Sequence, residues 1–229
     1  MVDKIVRSMT DALQGVRDGD TVMISGFGGA GMPSALIDGL IEQGARDLTI
    51  VNNNAGNGEY GLAALLKARR VRKIICSFPR QVDSHVFDTL YREGAIELEL
   101  VPQGNLAERI RAAGAGIGAF FTPTGYGTEL AKGKETRVIQ GKPYVLEMPL
   151  AADVALVKAL HGDRWGNLTY RKAARNFGPI MASAARLTIA QVDRVVPLGS
   201  LDPETIVTPG IFVKRVIEVG NTVHQGALA

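Results

Sequence analysis

Five short stretches of this chain combine residue types able to hold a ligand. The first, Gly26-Phe27-Gly28-Gly29-Ala30-Gly31, spells G-x-G-x-x-G, preceded by the apolar run Thr21 to Ser25 and followed by Pro33 and a helical pattern. Glycines there let backbone N–H groups approach a phosphate closely, and a helix N-terminus favours negative charge. The same glycines could equally serve only to turn the chain and pack helix on strand. A dinucleotide reading also needs an acidic residue after the next strand to bind ribose, and the chain has Asn52, Asn53 and Asn54 there. An NAD-binding regulator is therefore the weaker alternative.

The second stretch, Asn52 to Gly58 (NNNAGNG), and the third, Pro102-Gln103-Gly104-Asn105, each follow an apolar run. Asn and Gly populate turns for backbone reasons alone. In open α/β sheets, however, the carboxyl ends of the strands are where ligands bind, and the Gln103 amide can donate to a carboxylate or thioester oxygen. Thr122 to Thr128 has the composition of a lid or a surface loop. Arg164 to Phe177 gathers cations near the single Trp165. Arg171, Lys172 and Arg175 read there as a solvated helix start or an anion contact.

No residue in these stretches is an evident nucleophile. G-x-S-x-G, H-E-x-x-H and the P-loop signature are all absent from the chain. His85, His161 and His224 have no catalytic spacing, Cys76 at a strand end reads as a small buried hydrophobe, and Glu59 lacks a partner carboxylate nearby. No metal site is expected.

The elements that position these loops follow from hydrophobic periodicity. Short apolar runs at Thr21 to Ser25, Leu48 to Val51, Lys73 to Cys76 and Ile96 to Val101 alternate with helical patterns at Ser34 to Ile41, Gly61 to Ala68, Asp83 to Arg92 and Leu106 to Ala113. Such alternation predicts an α/β fold: an open, mostly parallel, doubly wound sheet with helices on both faces. Asp3 to Val16 reads as one amphipathic helix. Thr136 to Ile139 and Tyr144 to Met148 flank Gln140-Gly141-Lys142-Pro143 as a β-hairpin insertion would. Further strands are expected at Val154 to Ala159, Leu187 to Val192 and Ile211 to Arg215, with a helix at Ala173 to Ala185. No linker divides residues 1–229, which read as a single domain with a loose tail at Gly220 to Ala229.

Composition narrows the function classes. Glycine supplies 27 of 229 residues, roughly 12% against a usual value of about 7%, with no collagen period. Aromatics are 6%, too few for a single-strand stacking platform, and the basic run Lys67 to Lys73 reads as exposed surface, so no nucleic-acid partner is expected. One cysteine and an N-terminus without an apolar signal run point to the cytoplasm, and no stretch suits a membrane span. A net charge of +3 is compatible with a phosphorylated small molecule without identifying one.

Taken together, these stretches resemble the A (alpha) chain of class I coenzyme A transferases, the 3-oxoacid type. The resemblance rests on Asp18-Gly19 with Val22-Met23-Ile24, Ser25-Gly26-Phe27 and Gly31-Met32-Pro33; on Asn53-Asn54-Ala55-Gly56; and on Pro102 to Arg111, Phe121 to Gly127 and Arg171 to Phe177. It covers nearly the whole chain. Ser25 departs from the pattern, which usually has a second glycine there, and should alter loop flexibility more than chemistry. The resemblance implies ping-pong transfer of CoA between two carboxylic acids through a glutamyl-CoA thioester. The nucleophilic Glu of the family lies in a Glu-Asn-Gly motif of the B half, and this chain has no such motif. It further implies a partner B subunit in a heterotetramer of two A and two B chains, CoA and succinyl-CoA as substrates, and no tightly bound cofactor. Ser25, Gly26, Phe27, Gly28, Gly29, Ala30 and Gly31 would contact CoA, and Asn53, Asn54 and Gln103 would line the substrate pocket. A bulky residue at Gly28 or Gly31 would then impair turnover more than folding. Asn105 and Gly162 to Tyr170 resemble members acting on 3-oxoadipate, with acetoacetate the alternative acceptor.

Overall fold

A computed structural model of the chain describes residues 2–220. The first half builds strand and helix in turn: β1 (Ile5–Val6), α1 (Met9–Leu13), β2 (Thr21–Ile24), α2 (Ser34–Gln43), β3 (Leu48–Val51), α3 (Leu62–Lys67), β4 (Val71–Cys76), α4 (His85–Arg92), β5 (Glu97–Leu100) and α5 (Gln103–Gly114). The second half is less regular, with β6 (Phe120–Thr122), β7 (Thr136–Ile139), β8 (Lys142–Glu147), β9 (Ala152–Gly162), β10 (Leu168–Thr169), α6 (Gly178–Ala184), β11 (Ala185–Val195) and β12 (Arg215–Glu218).

The main sheet runs β1-β12-β11-β9-β2-β3-β4-β5, all parallel, with β10 antiparallel to β9. The period-2 alternation of each strand sends its side chains to opposite faces. Val22, Ile24, Leu48, Ile50, Val154 and Leu156 pack beneath α1 to α4, whereas Met23, Val51, Ala155 and Val157 pack against α5 and α6. Two helical layers on one parallel sheet is the doubly wound architecture the sequence pattern predicts. The predicted hairpin is present as β7 and β8, and β6 joins it to make a three-stranded antiparallel sheet.

Three local expectations are corrected. Asp3 to Val16 is not one helix, because Ile5–Val6 pairs in parallel with Val216 and Ile217 before α1 begins at Met9. Ala173 to Ala185 is two pieces, a 3₁₀ turn at Lys172–Arg175 and α6, separated at Asn176. Ile211 to Arg215 is not a strand: it opens on the end of a 3₁₀ turn (Gly210–Phe212), and the strand begins only at Arg215. Of the expected tail, only Gly220 falls within the described residues.

The position of the site follows from strand order. From β2 the chain builds outward through β3, β4 and β5, and from β9 it builds the opposite way through β11 and β12. Neighbours β2 and β9 therefore form the topological switch point, where the loops leaving the carboxyl ends diverge and leave a crevice.

Candidate functional site

The glycine loop leaves β2 at this switch point, and its neighbours hold its two ends. Ser25, fully buried, donates its hydroxyl to the Gly31 carbonyl (2.7 Å) and accepts the Lys158 amide (3.0 Å), so the loop's base is tied to β9. Asn176 clamps it from the other side, accepting from the Gly26 amide (3.2 Å) and donating to the Ala30 carbonyl (2.8 Å). Gly31 has φ +77°, and a Cβ there would lie 2.4 Å from the Ala174 carbonyl oxygen. Its glycine is thus required by packing, and the expectation that a bulky residue at Gly31 would impair turnover more than folding is corrected.

The tip of the loop differs. Phe27 and Ala30 exchange backbone hydrogen bonds (3.0 and 3.2 Å), leaving Gly28 and Gly29 as a two-residue turn. Nothing lies within 4 Å of a Cβ at Gly29, and at Gly28 only the Gln81 amide nitrogen approaches, at 3.9 Å. These two residues turn open backbone outward.

The helix that follows is not a free phosphate seat. Gln191, a buried side chain of β11, accepts from the first-turn amides of Ala35 (3.1 Å) and Leu36 (3.3 Å) of α2. Two of the helix N–H groups that would receive a dinucleotide pyrophosphate are therefore already occupied, which weakens the NAD reading.

Asn52, Asn53 and Asn54 are all buried at the carboxyl end of β3. Asn52 donates to the Ile24 carbonyl (2.6 Å) and accepts the Asn54 amide (2.9 Å), and the Asn54 oxygen accepts the Gly56 amide (3.3 Å). These side chains stitch the loop to β2 and to itself. Asn53 reaches further: its side-chain oxygen accepts from Gln103 Nε2 (2.7 Å) and from the Ser77 hydroxyl (2.7 Å). Residues separated by 50 positions thereby meet in one cluster. Gln103 opens α5 instead of lying in a loop, so its position is set by a helix docked through Leu106 and Ile110.

Two clefts flank the glycine loop. One, of about 330 Å³, is bounded by Phe27, Gln103, Gly104, Ala107, Asn176 and Phe177. The other, of about 510 Å³, lies at the switch point between Gly29 to Met32 and Lys158, with Arg171, Lys172 and Asp193 on its walls. Lys158 pairs with Asp193, so the remaining positive charge there comes from Arg171 and Lys172. Sequence reasoning missed Lys158, Asp193, Gln191 and Ser77, since only strand pairing brings them to the loops.

Other candidate residues fall elsewhere. Burial pushes the Cys76 thiol up to about 12, which suits a core residue and not a nucleophile. Glu59 is exposed and held below the usual carboxylate range by its hydrogen bond from Lys67 (2.9 Å), with His85 beside it, the reverse of a general base tuned upward. Asp163 and Asn167 spend their polar groups within the Gly162 to Asn167 turn and on the Gly210 amide, so that stretch stabilises its own loop. Among the described residues, no cluster of His, Cys, Asp and Glu could hold a metal ion, and no helix is long and apolar enough to cross a membrane.

Known proteins match the chain along nearly all of its length. The family model described as coenzyme A transferase matches residues 6–219. A Pseudomonas putida protein, named as the A chain of 3-oxoadipate CoA-transferase, is 73% identical over 219 residues, covering 96% of this chain and 95% of that one. The Acinetobacter baylyi protein of the same name is 66% identical over 227 residues, covering 99% and 100%. Among solved structures, glutaconate coenzyme A-transferase from Acidaminococcus fermentans superposes with a TM-score of 0.82 at 20% identity, over 95% of this chain and 76% of that one, a likeness of fold. The chain belongs to the coenzyme A transferase family.

Proposed function

We propose that this chain is the A half of a two-subunit enzyme that moves CoA from succinyl-CoA to 3-oxoadipate. The observation carrying this reading is the 73% identity, across nearly the full length of both proteins, to a relative named for 3-oxoadipate. In the first half-reaction a glutamate of the partner B subunit takes CoA from succinyl-CoA, releasing succinate; in the second, 3-oxoadipate takes CoA from that glutamyl thioester. Gln103 donates an amide N–H to the acyl oxygen as negative charge develops there, with Asn53 as its support and Asn54 holding the loop behind it. The open Gly28–Gly29 tip supplies backbone against which CoA packs, and Ser25, Gly26, Phe27, Ala30 and Gly31 shape it. Two A and two B chains form the assembly, no cofactor is held between turnovers, and the enzyme works in the cytoplasm.

The test is a CoA-transfer assay on this chain alone, on its B partner alone, and on the two combined, with 3-oxoadipate and acetoacetate offered separately. The reading expects activity only from the combination, with kcat/KM higher for 3-oxoadipate. Activity of this chain alone, or a preference for acetoacetate, overturns it.

A further inference from the structure

We propose that Ser77 is a positioning residue for the transfer reaction, acting through Asn53 to fix the amide of Gln103; the proposal rests on the transferase reading above. Ser77 immediately follows β4 and is anchored there by its own backbone, since its amide donates to the Asn53 carbonyl (3.1 Å) alongside that of Phe78 (3.0 Å). Its hydroxyl has one proton. That proton faces two oxygens of the same residue, the Asn53 side-chain oxygen at 2.7 Å and the Asn53 carbonyl at 3.1 Å. The Asn53 carbonyl already accepts the Ser77 and Phe78 amides, so the hydroxyl gives its one proton to the closer side-chain oxygen.

That constraint decides how Asn53 stands. Its amide could present either oxygen or NH₂ toward its neighbours, and a donating Ser77 selects the oxygen. The same oxygen accepts from Gln103 Nε2 at 2.7 Å. With one Gln103 N–H so engaged and the amide planar, the second N–H is held in one orientation, on a residue that lines the cleft bounded by Phe27, Gly104 and Phe177. Were Asn53 to flip, its NH₂ would meet the Gln103 NH₂, donor against donor, and Gln103 would rotate its oxygen toward Asn53. The group offered to a developing oxyanion would then depend on which way Asn53 stands. Asn53 is buried, so water does not readily replace the missing donor when the hydroxyl is removed. Ser77 is part-buried and is not among the residues that bound this cleft. It acts two residues back from the reacting group.

The experiment compares the reconstituted two-subunit enzyme carrying Ser77→Ala, Ser77→Thr, Gln103→Ala, and Ser77→Ala combined with Gln103→Ala. Losing one orienting hydrogen bond predicts a kcat lowered about tenfold for Ser77→Ala with KM for succinyl-CoA little changed. Ser77→Thr, which keeps the hydroxyl, restores most of it. In the Gln103→Ala background, removing the hydroxyl has no further effect. An unchanged kcat for Ser77→Ala, or the same loss recurring without Gln103, overturns the proposal. Melting temperature and assembly of the complex, measured on each variant, separate a folding defect from a catalytic one; a loss of kcat that tracks unfolded protein counts against positioning. An inactive wild-type complex would instead contradict the transferase reading itself.

Discussion

The two loops that leave neighbouring strands β2 and β3 are built on opposite plans. After β2, the glycine loop is pinned at its base by Ser25 and Asn176 while Gly28 and Gly29 stay open. After β3, the polar side chains of Asn52 and Asn54 are consumed in local turns, and Asn53 alone extends to Gln103 and Ser77. The first loop leaves backbone open at its tip, and the second holds a side chain on another element in place. On the proposed function, a glycine motif and an asparagine motif, similar as turn formers, divide the labour of one site: shaping the surface and orienting the amide.

That contrast can be broken at its two ends. The largest effect is expected at Gly31→Val, where φ is +77° and the new Cβ would sit 2.4 Å from the Ala174 carbonyl. A loss of about 3 kcal/mol or more is expected, read as a lower melting temperature and weaker assembly with the B subunit. Unchanged stability would mean that the loop base is not packed as described. The smallest is expected at Gly28→Ala, which meets only Gln81 at 3.9 Å and bears strain from φ +59°. A cost of about 1 kcal/mol in stability is expected, together with a higher KM for succinyl-CoA and little change in the Gln103-dependent kcat. A fall in kcat with KM preserved would place the tip in the amide's role and merge the two plans.

Much of this was legible in the sequence because the underlying signals are local. Short apolar runs followed by Ser25-Gly26, Asn52 and Ser77 identify β2, β3 and β4 and the loops at their carboxyl ends, and the hairpin around Gln140-Gly141 declares itself by turn chemistry. What escaped depends on distant partners. Ile5–Val6 becomes a strand only because residues some 210 positions later pair with it. Asn176 interrupts the helical pattern of Ala173 to Ala185 at the place where it turns to clamp the glycine loop, a tertiary demand that overrides local propensity. Gln191 and Ser77 carry no motif, and only the parallel pairing of their strands brings them to the site. The lack of an evident nucleophile was legible as an absence, and the proposed function explains it by a partner chain.

On the proposed function, this chain shapes the site and orients its amide while the reacting carboxylate belongs to the B subunit. The most direct test is to incubate the assembled enzyme with succinyl-CoA, denature it in acid, and measure the intact mass of each chain. One CoA is expected on the B subunit, with none on this chain; CoA covalently attached to this chain would contradict that division of roles.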